Sequence, residues 1–155
     1  MALSSLRSYS TSNHQVVNIN KNNTESKSAS PNQNGQIQIY QSAYRGSYSS
    51  IIRDSLRNAA LGRKVLLVQL MKGGVKQGLV NAQNLCGNLT WIRPSNSYDH
   101  YDPEEINKNP NLTNSINNSI NELWDFCKKE LLSGEYDQII LDEIFLAVDL
   151  NIICE

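Results

Sequence analysis

Cysteine is scarce in this chain, with three thiols in 155 residues, at Cys86, Cys127 and Cys154. They lie far apart, and none has a second ligand at metal-binding spacing. An odd count without a secretory leader does not read as a disulfide framework. Reduced thiols in a cytosolic compartment are expected, with Cys127 on the apolar stripe of a helix and therefore in a core. An excess of charge of one sign is missing too. With 14 Lys and Arg against 15 Asp and Glu, the chain lacks the basic face of a dedicated nucleic-acid binder. No apolar run approaches the ~20 residues needed to cross a bilayer, so no membrane partner is expected. There are no internal repeats.

Residues 1–35 are short of apolar side chains and rich in Ser, Asn, Thr, Gln and Lys. Such a segment buries too little apolar surface to offset chain entropy and is expected to be a disordered, dispensable tail. Its first residues, Ser-rich with Arg7 and no acid before Glu25, have the composition of an organelle transit peptide. The Asn/Gln/Lys-rich continuation lacks an amphipathic Arg pattern, which favours a plain extension on a cytoplasmic protein over a targeting signal. Residues 36–155 are left as one domain, long enough for a modest core.

Within that domain, apolar patterning predicts strands alternating with helices. Gln36–Tyr40 reads as a strand. Ile51, Ile52, Leu56, Ala59 and Ala60 then recur at helical spacing up to a stop at Gly62. Val65–Met71 is apolar almost throughout, as suits a strand covered on both faces of a parallel sheet. Leu79–Cys86 is weakly periodic and reads as a short helix, and Asn88–Arg93 as a short strand ending before Pro94. Residues 95–111 form a loop rich in Pro, Asn and Asp. Leu112, Ile116, Ile120, Leu123, Trp124, Cys127 and Leu131 step by three or four, which predicts a long helix capped by Asn111 or Thr113 and closed at Gly134. Tyr136–Leu141 is the last strand. The expected fold is α/β, a parallel sheet of about four strands with flanking helices.

Strand, loop, helix, strand, and later a strand ending in Asp142 and Glu143: this order is the frame of a P-loop nucleotide-binding domain. Glycine is short where such a frame most needs it. Between Tyr40 and the first helix only Gly46 is present, and no lysine stands there. The remaining candidates for holding phosphate are Arg45, Gly46, Ser47 and Ser49, with Lys72 at the end of the second strand. Asp142 and Glu143 are candidate metal ligands. Lys72 also reads as a solvated turn lysine, and the acidic pair as the cap of a strand end or following helix.

Four stretches in series resemble the ATP:corrinoid adenosyltransferases. They are the strand ending at Tyr40 with its loop and helix, Gly62–Gly74 with its Val68-Gln69 and Lys72-Gly73, Trp124 in a helix that leads to the stretch Ser133–Asp137, and Ile139–Ile144 followed by Ala147, Asp149 and Leu150. The resemblance covers roughly Gly35 to the last residue. It implies a RecA-like P-loop fold that binds ATP and Mg²⁺. Such a protein moves the 5′-deoxyadenosyl group to a reduced cobalt corrinoid and leaves triphosphate. The family's loop reads glycine, any residue, glycine, lysine, glycine, lysine, threonine, threonine. Here Ser42, Ala43, Tyr44, Arg45, Gly46, Ser47, Tyr48 and Ser49 occupy those places. Gly46 matches, Arg45 keeps a positive charge and Ser49 keeps a hydroxyl. The phosphate-neutralising lysine has become Ser47 and the magnesium-binding threonine Tyr48. Side chains at Ser42 and Tyr44 stand where backbone should approach phosphate.

The resemblance therefore implies either a non-catalytic relative with at most weak nucleotide or corrinoid binding, or an active adenosyltransferase in which Arg45 or Lys72 replaces the missing lysine. Family members also continue with a helix, strand and helix beyond the position of Glu155. This implies a sheet incomplete at its C-terminus, with Ile37–Tyr40 at an edge that a second copy or another chain would cover.

Overall fold

In the computed structural model the described residues are 14–15, 35–41, 49–73, 75, 77–95 and 110–153. They fall in two compact units, residues 1–49 and 50–155. In the first, β1 (His14–Gln15) pairs antiparallel with β2 (Ile39–Tyr40). The second unit begins in α1 (Ser49–Ala60). It continues through β3 (Val65–Gln69), β4 (Gln83–Leu85), β5 (Leu89–Ile92), α2 (Pro110–Ser133), β6 (Gln138–Asp142) and α3 (Ile144–Asp149). The expectation of a disordered tail falls mostly outside the described residues.

The fold is α/β, with a four-stranded sheet in the order β4-β5-β3-β6. β3 lies between β5 and β6 and is parallel to both, while β4 joins β5 as an antiparallel edge. Two expectations are corrected. Gln36–Tyr40 is not a strand of this sheet, because Ile39–Tyr40 pair with β1. The sequence gives the reason. Gln36, Ile37, Gln38 and Ile39 alternate polar with apolar, whereas a parallel strand covered on both faces is apolar throughout. Leu79–Cys86 is not a helix either. Gln83–Leu85 pair with β5 across a turn in which Cys86 and Gly87 take φ of 52° and 75°, and this pairing overrides the weak helical periodicity.

The other elements follow from side-chain pattern. All five residues of β3 are buried, and alternate ones face opposite ways. Val65 and Leu67 pack with Ala59, Ile52 and Leu56 of α1, together with Leu89. Leu66 and Val68 join Ile116, Ile120, Leu123 and Cys127 of α2, with Ala147 of α3 and Ile152–Ile153 after it. The sheet thus has a helix layer on each side. α1 stops where Gly62 takes φ +92° and its amide reaches the Ala59 carbonyl at 3.0 Å. α2 opens on Pro110, a residue suited to the first helical turn, and ends before Gly134 at φ +69°. At the N-terminal ends of the strands, the Lys64 amide donates to Asp137 Oδ2 at 2.8 Å and the Asp137 amide to the Lys64 carbonyl at 2.9 Å.

Trp124 packs on the α2 side of the core with its Nε1 buried and without a hydrogen-bond partner. Its ring therefore supplies apolar contact rather than a polar anchor. Trp124→Ala is expected to cost about 3–5 kcal/mol in urea unfolding, whereas Trp124→Phe, which removes the unpartnered N–H, should cost less than about 1.5 kcal/mol. An alanine variant as stable as the wild type would show that the ring is not part of the core. Cys127 is fully buried, and desolvation pushes its thiol from the ordinary 9.0 up to about 12. The folded state keeps it protonated while the unfolded chain ionises from about pH 9 upward. Its contribution to stability is therefore complete below pH 9 and lost as pH rises towards 12. Between pH 8 and 10.5 the wild type should lose stability more steeply than Cys127→Ala; parallel curves would refute this.

Candidate functional site

The C-terminal ends of β5, β3 and β6 come together at one edge of the sheet. In open parallel sheets this is the edge where ligands bind. Gln69 closes β3 and Asp142 closes β6, and the two are register partners. Gln69 is 2% exposed, so its amide must find partners within the protein. It has three. Nε2 donates to Asp142 Oδ2 at 2.8 Å, while Oε1 accepts from Trp91 Nε1 at 2.9 Å and from Arg93 Nε at 2.8 Å. The Arg93 guanidinium also stacks over the Trp91 ring, 4.6 Å from its centroid. Lys72 Nζ reaches the same Asp142 Oδ2 at 2.9 Å, and the two side chains are only 20% and 11% exposed. A single amide thus links an arginine, an indole and a lysine–aspartate pair.

Glu143 follows in the left-handed region, at φ 62° and ψ 25°, at the N-terminus of α3. A residue with a Cβ pays for this conformation in strain. Its side chain makes no capping hydrogen bond, although its carbonyl accepts from the amides of Leu146 and Ala147 at 3.1 and 3.3 Å. Non-glycine residues held in this region cluster at functional sites.

Of the residues singled out in the sequence, the structure brings together Lys72 and Asp142, with Glu143 next in the chain. Ser49 is the exposed first residue of α1. Arg45, Gly46 and Ser47 lie outside the described residues. The sequence reading passed over Gln69, Trp91 and Arg93. Gln69 carried a usable signal, being the one polar side chain inside an apolar run destined for burial on both faces. Trp91 and Arg93, two apart at the end of a strand, share a face.

Mg²⁺ is held by one or two carboxylates and fills its shell with water and phosphate oxygens. Asp142 and Glu143 fit that limited donor set. Among the described residues no group of three or more His, Cys, Asp or Glu comes together. Residues 33–155 match the family model for ATP:corrinoid adenosyltransferase BtuR/CobO/CobP. The chain belongs to this family. No curated protein and no solved structure matches it. The family is one of ATP and corrinoid chemistry, so such ligands are in keeping with it. No helix among the described residues is long and apolar enough to cross a membrane.

Gln69→Leu would leave Trp91 Nε1, Arg93 Nε and Asp142 without their shared partner. The three are part-buried and Asp142 keeps Lys72, so each lost contact costs at most about 1–3 kcal/mol, and the three are not additive. A loss of about 2–4 kcal/mol is expected in urea unfolding. A change below about 0.5 kcal/mol would mean that water replaces the amide without penalty.

Proposed function

We propose that this protein is a corrinoid adenosyltransferase relative that does not transfer the adenosyl group and binds MgATP or a corrinoid weakly at most. One observation carries the reading: Lys72, the lysine at the ligand edge able to stand in for the one missing from the loop, is committed to Asp142 at 2.9 Å. A lysine serving the outer phosphates has to present its charge to them. Here that charge is already neutralised by the carboxylate that would organise the metal. Breaking such a partly buried pair leaves an uncompensated charge and is unfavourable. Asp142 is likewise engaged by Gln69 and Lys72 on one oxygen, Oδ2, and the adjacent ammonium disfavours a cation there by charge repulsion.

The loop sequence points the same way. Ser47 brings no charge to the β- and γ-phosphates, and a phenol at Tyr48 is too long to take the place of a magnesium-binding threonine. What remains is the positive end of a helix, worth roughly half a charge, and Arg45. Those attract an anion without arranging a triphosphate for attack at the ribose 5′ carbon. In the parent reaction the cobalt ion is the nucleophile, and the protein contributes orientation, exclusion of water and neutralised phosphate charge.

Titration calorimetry with MgATP is the direct test. The combined change Ser42→Gly, Tyr44→Gly, Ser47→Lys and Tyr48→Thr should raise affinity at least tenfold, about 1.4 kcal/mol. The unmodified chain should form no adenosylcobalamin from reduced cobalamin and ATP. Product that scales with the concentration of unmodified protein would reject the proposal and give Arg45 or Lys72 the role of the missing lysine.

A further inference from the structure

β6 has β3 on one side, and among the described residues no strand pairs with its other side. The opposite edge of the sheet, β4, is blunted by its length of three residues and by the exposed polar side chains of Gln83 and Asn84. β6 is longer, and Gln138-Ile-Ile-Leu-Asp142 carries no Pro, Lys or Gly to discourage a further strand. The phase of its backbone is fixed. The Gln138 amide donates to the Lys64 carbonyl and the Asp142 carbonyl accepts from the Leu70 amide, each at 3.3 Å. The amide and carbonyl of one strand residue point to the same side, and the side alternates along the strand. Gln138, Ile140 and Asp142 therefore turn theirs towards β3, while Ile139 and Leu141 turn theirs outward.

We infer that this edge pairs with β6 of a second copy of the chain, antiparallel about a two-fold axis at Ile140. The strand is self-complementary in that register. Ile139 stands opposite the partner's Leu141, and Leu141 opposite the partner's Ile139. Each pair exchanges both backbone bonds, so every outward amide and carbonyl is met. Gln138 falls opposite the partner's Asp142 in a closely spaced pair, with Cα atoms about 4.5 Å apart. Gln138 Oε1 already accepts from Asn58 Nδ2, and Asp142 Oδ2 from Gln69 and Lys72. What the two present to each other is an amide NH2 and Oδ1, donor to acceptor, once on each side of the axis. The apolar surface agrees with this register. α2 and α3 cover the same face of the sheet and adjoin opposite ends of β6. Leu131 and Leu132 are exposed at the end of α2, and Phe145 and Val148 on α3. An antiparallel partner brings its α3 beside the end of α2, so that the two patches cover each other in both halves of the dimer. The partner's Gln138 then joins the polar cluster around Asp142, which ties the ligand edge to the assembly.

Sedimentation of the full chain, without nucleotide or corrinoid, should show a reversible monomer–dimer equilibrium. Residue-resolved hydrogen exchange reads the register. The Ile139 and Leu141 amides should be protected in the dimer and exchange at least tenfold faster on dilution to monomer. The Ile140 amide, bonded to β3, should stay protected throughout. Leu132→Glu and Phe145→Glu, both at exposed positions, should each weaken dimerisation at least tenfold while leaving the circular dichroism spectrum unchanged. Combining Leu132→Lys with Phe145→Glu should recover most of the loss, because the opposite charges meet across the axis. A chain that stays monomeric at every concentration overturns the inference. If its Ile139 and Leu141 amides are protected all the same, the edge is covered by residues 1–49 of the same chain. An open series of higher oligomers, a dimer whose Ile139 and Leu141 amides exchange freely, or single variants that dimerise like wild type would overturn it as well. No ligand takes part in the measurement, so its failure leaves the functional reading of the Asp142–Lys72 pair standing.

Discussion

A glutamine amide withdrawn from water at the end of the central strand sets the terms for the surrounding structure. β3 is hydrogen-bonded on both edges and covered on both faces, so Gln69 has nowhere to meet solvent. Its two polar atoms are satisfied by β6 on one side and by the end of β5 on the other. Those partners fix where Asp142 and Arg93 stand, and Asp142 in turn fixes Lys72. A hydrophobic residue would have filled the same space more cheaply. The amide instead ties three strand ends into a single polar unit at the ligand edge of the sheet.

This unit changes how the altered loop should be weighed. Taken alone, the substitutions at Ser47 and Tyr48 remove charge and metal chemistry from one side of a nucleotide site. At the C-terminal edge of the sheet, Asp142 is already balanced by Lys72 at 2.9 Å. Local neutrality of this kind gives the folded protein little reason to recruit a metal–triphosphate. Glu143, kept in a conformation that favours glycine, is the feature that fits least with complete loss of ligand chemistry. Under the function proposed above, it belongs with weak binding retained after loss of turnover.

Much of the second unit was legible in the sequence because its signals were local and strong. The unbroken apolar run of β3, the three-four stepping of α2 and the glycines at 62 and 134 each reflect one dominant physical demand. Lys72 and Asp142 were found through the order of motifs along the chain, and the structure unites them. What was not legible depended on pairing between distant residues. The three residues of β4 form a strand only because β5 supplies their partners, and nothing in Gln83–Leu85 itself announces that. β2 lies outside the main sheet because its partner is β1, far away in sequence, and its polar–apolar alternation suits a strand that is not covered on both faces. Trp91 and Arg93 became part of the site through the amide of Gln69, a contact spanning more than twenty residues of sequence.

The polar contacts at the two ends of the β3–β6 ladder have one more consequence. Lys64 with Asp137 holds the N-terminal end, and Gln69 with Asp142 the C-terminal end. Sliding β6 along β3 by one residue would turn every side chain to the wrong face. Sliding it by two would keep the faces but carry Asp142 about 6.6 Å away from Gln69, at roughly 3.3 Å per residue. A buried amide would then be left unmet at one end and the exchange of amide and carboxylate lost at the other. In a parallel pair without a tight turn to set alignment, these end contacts act as a vernier, giving one alignment of the strands a clear advantage over its neighbours.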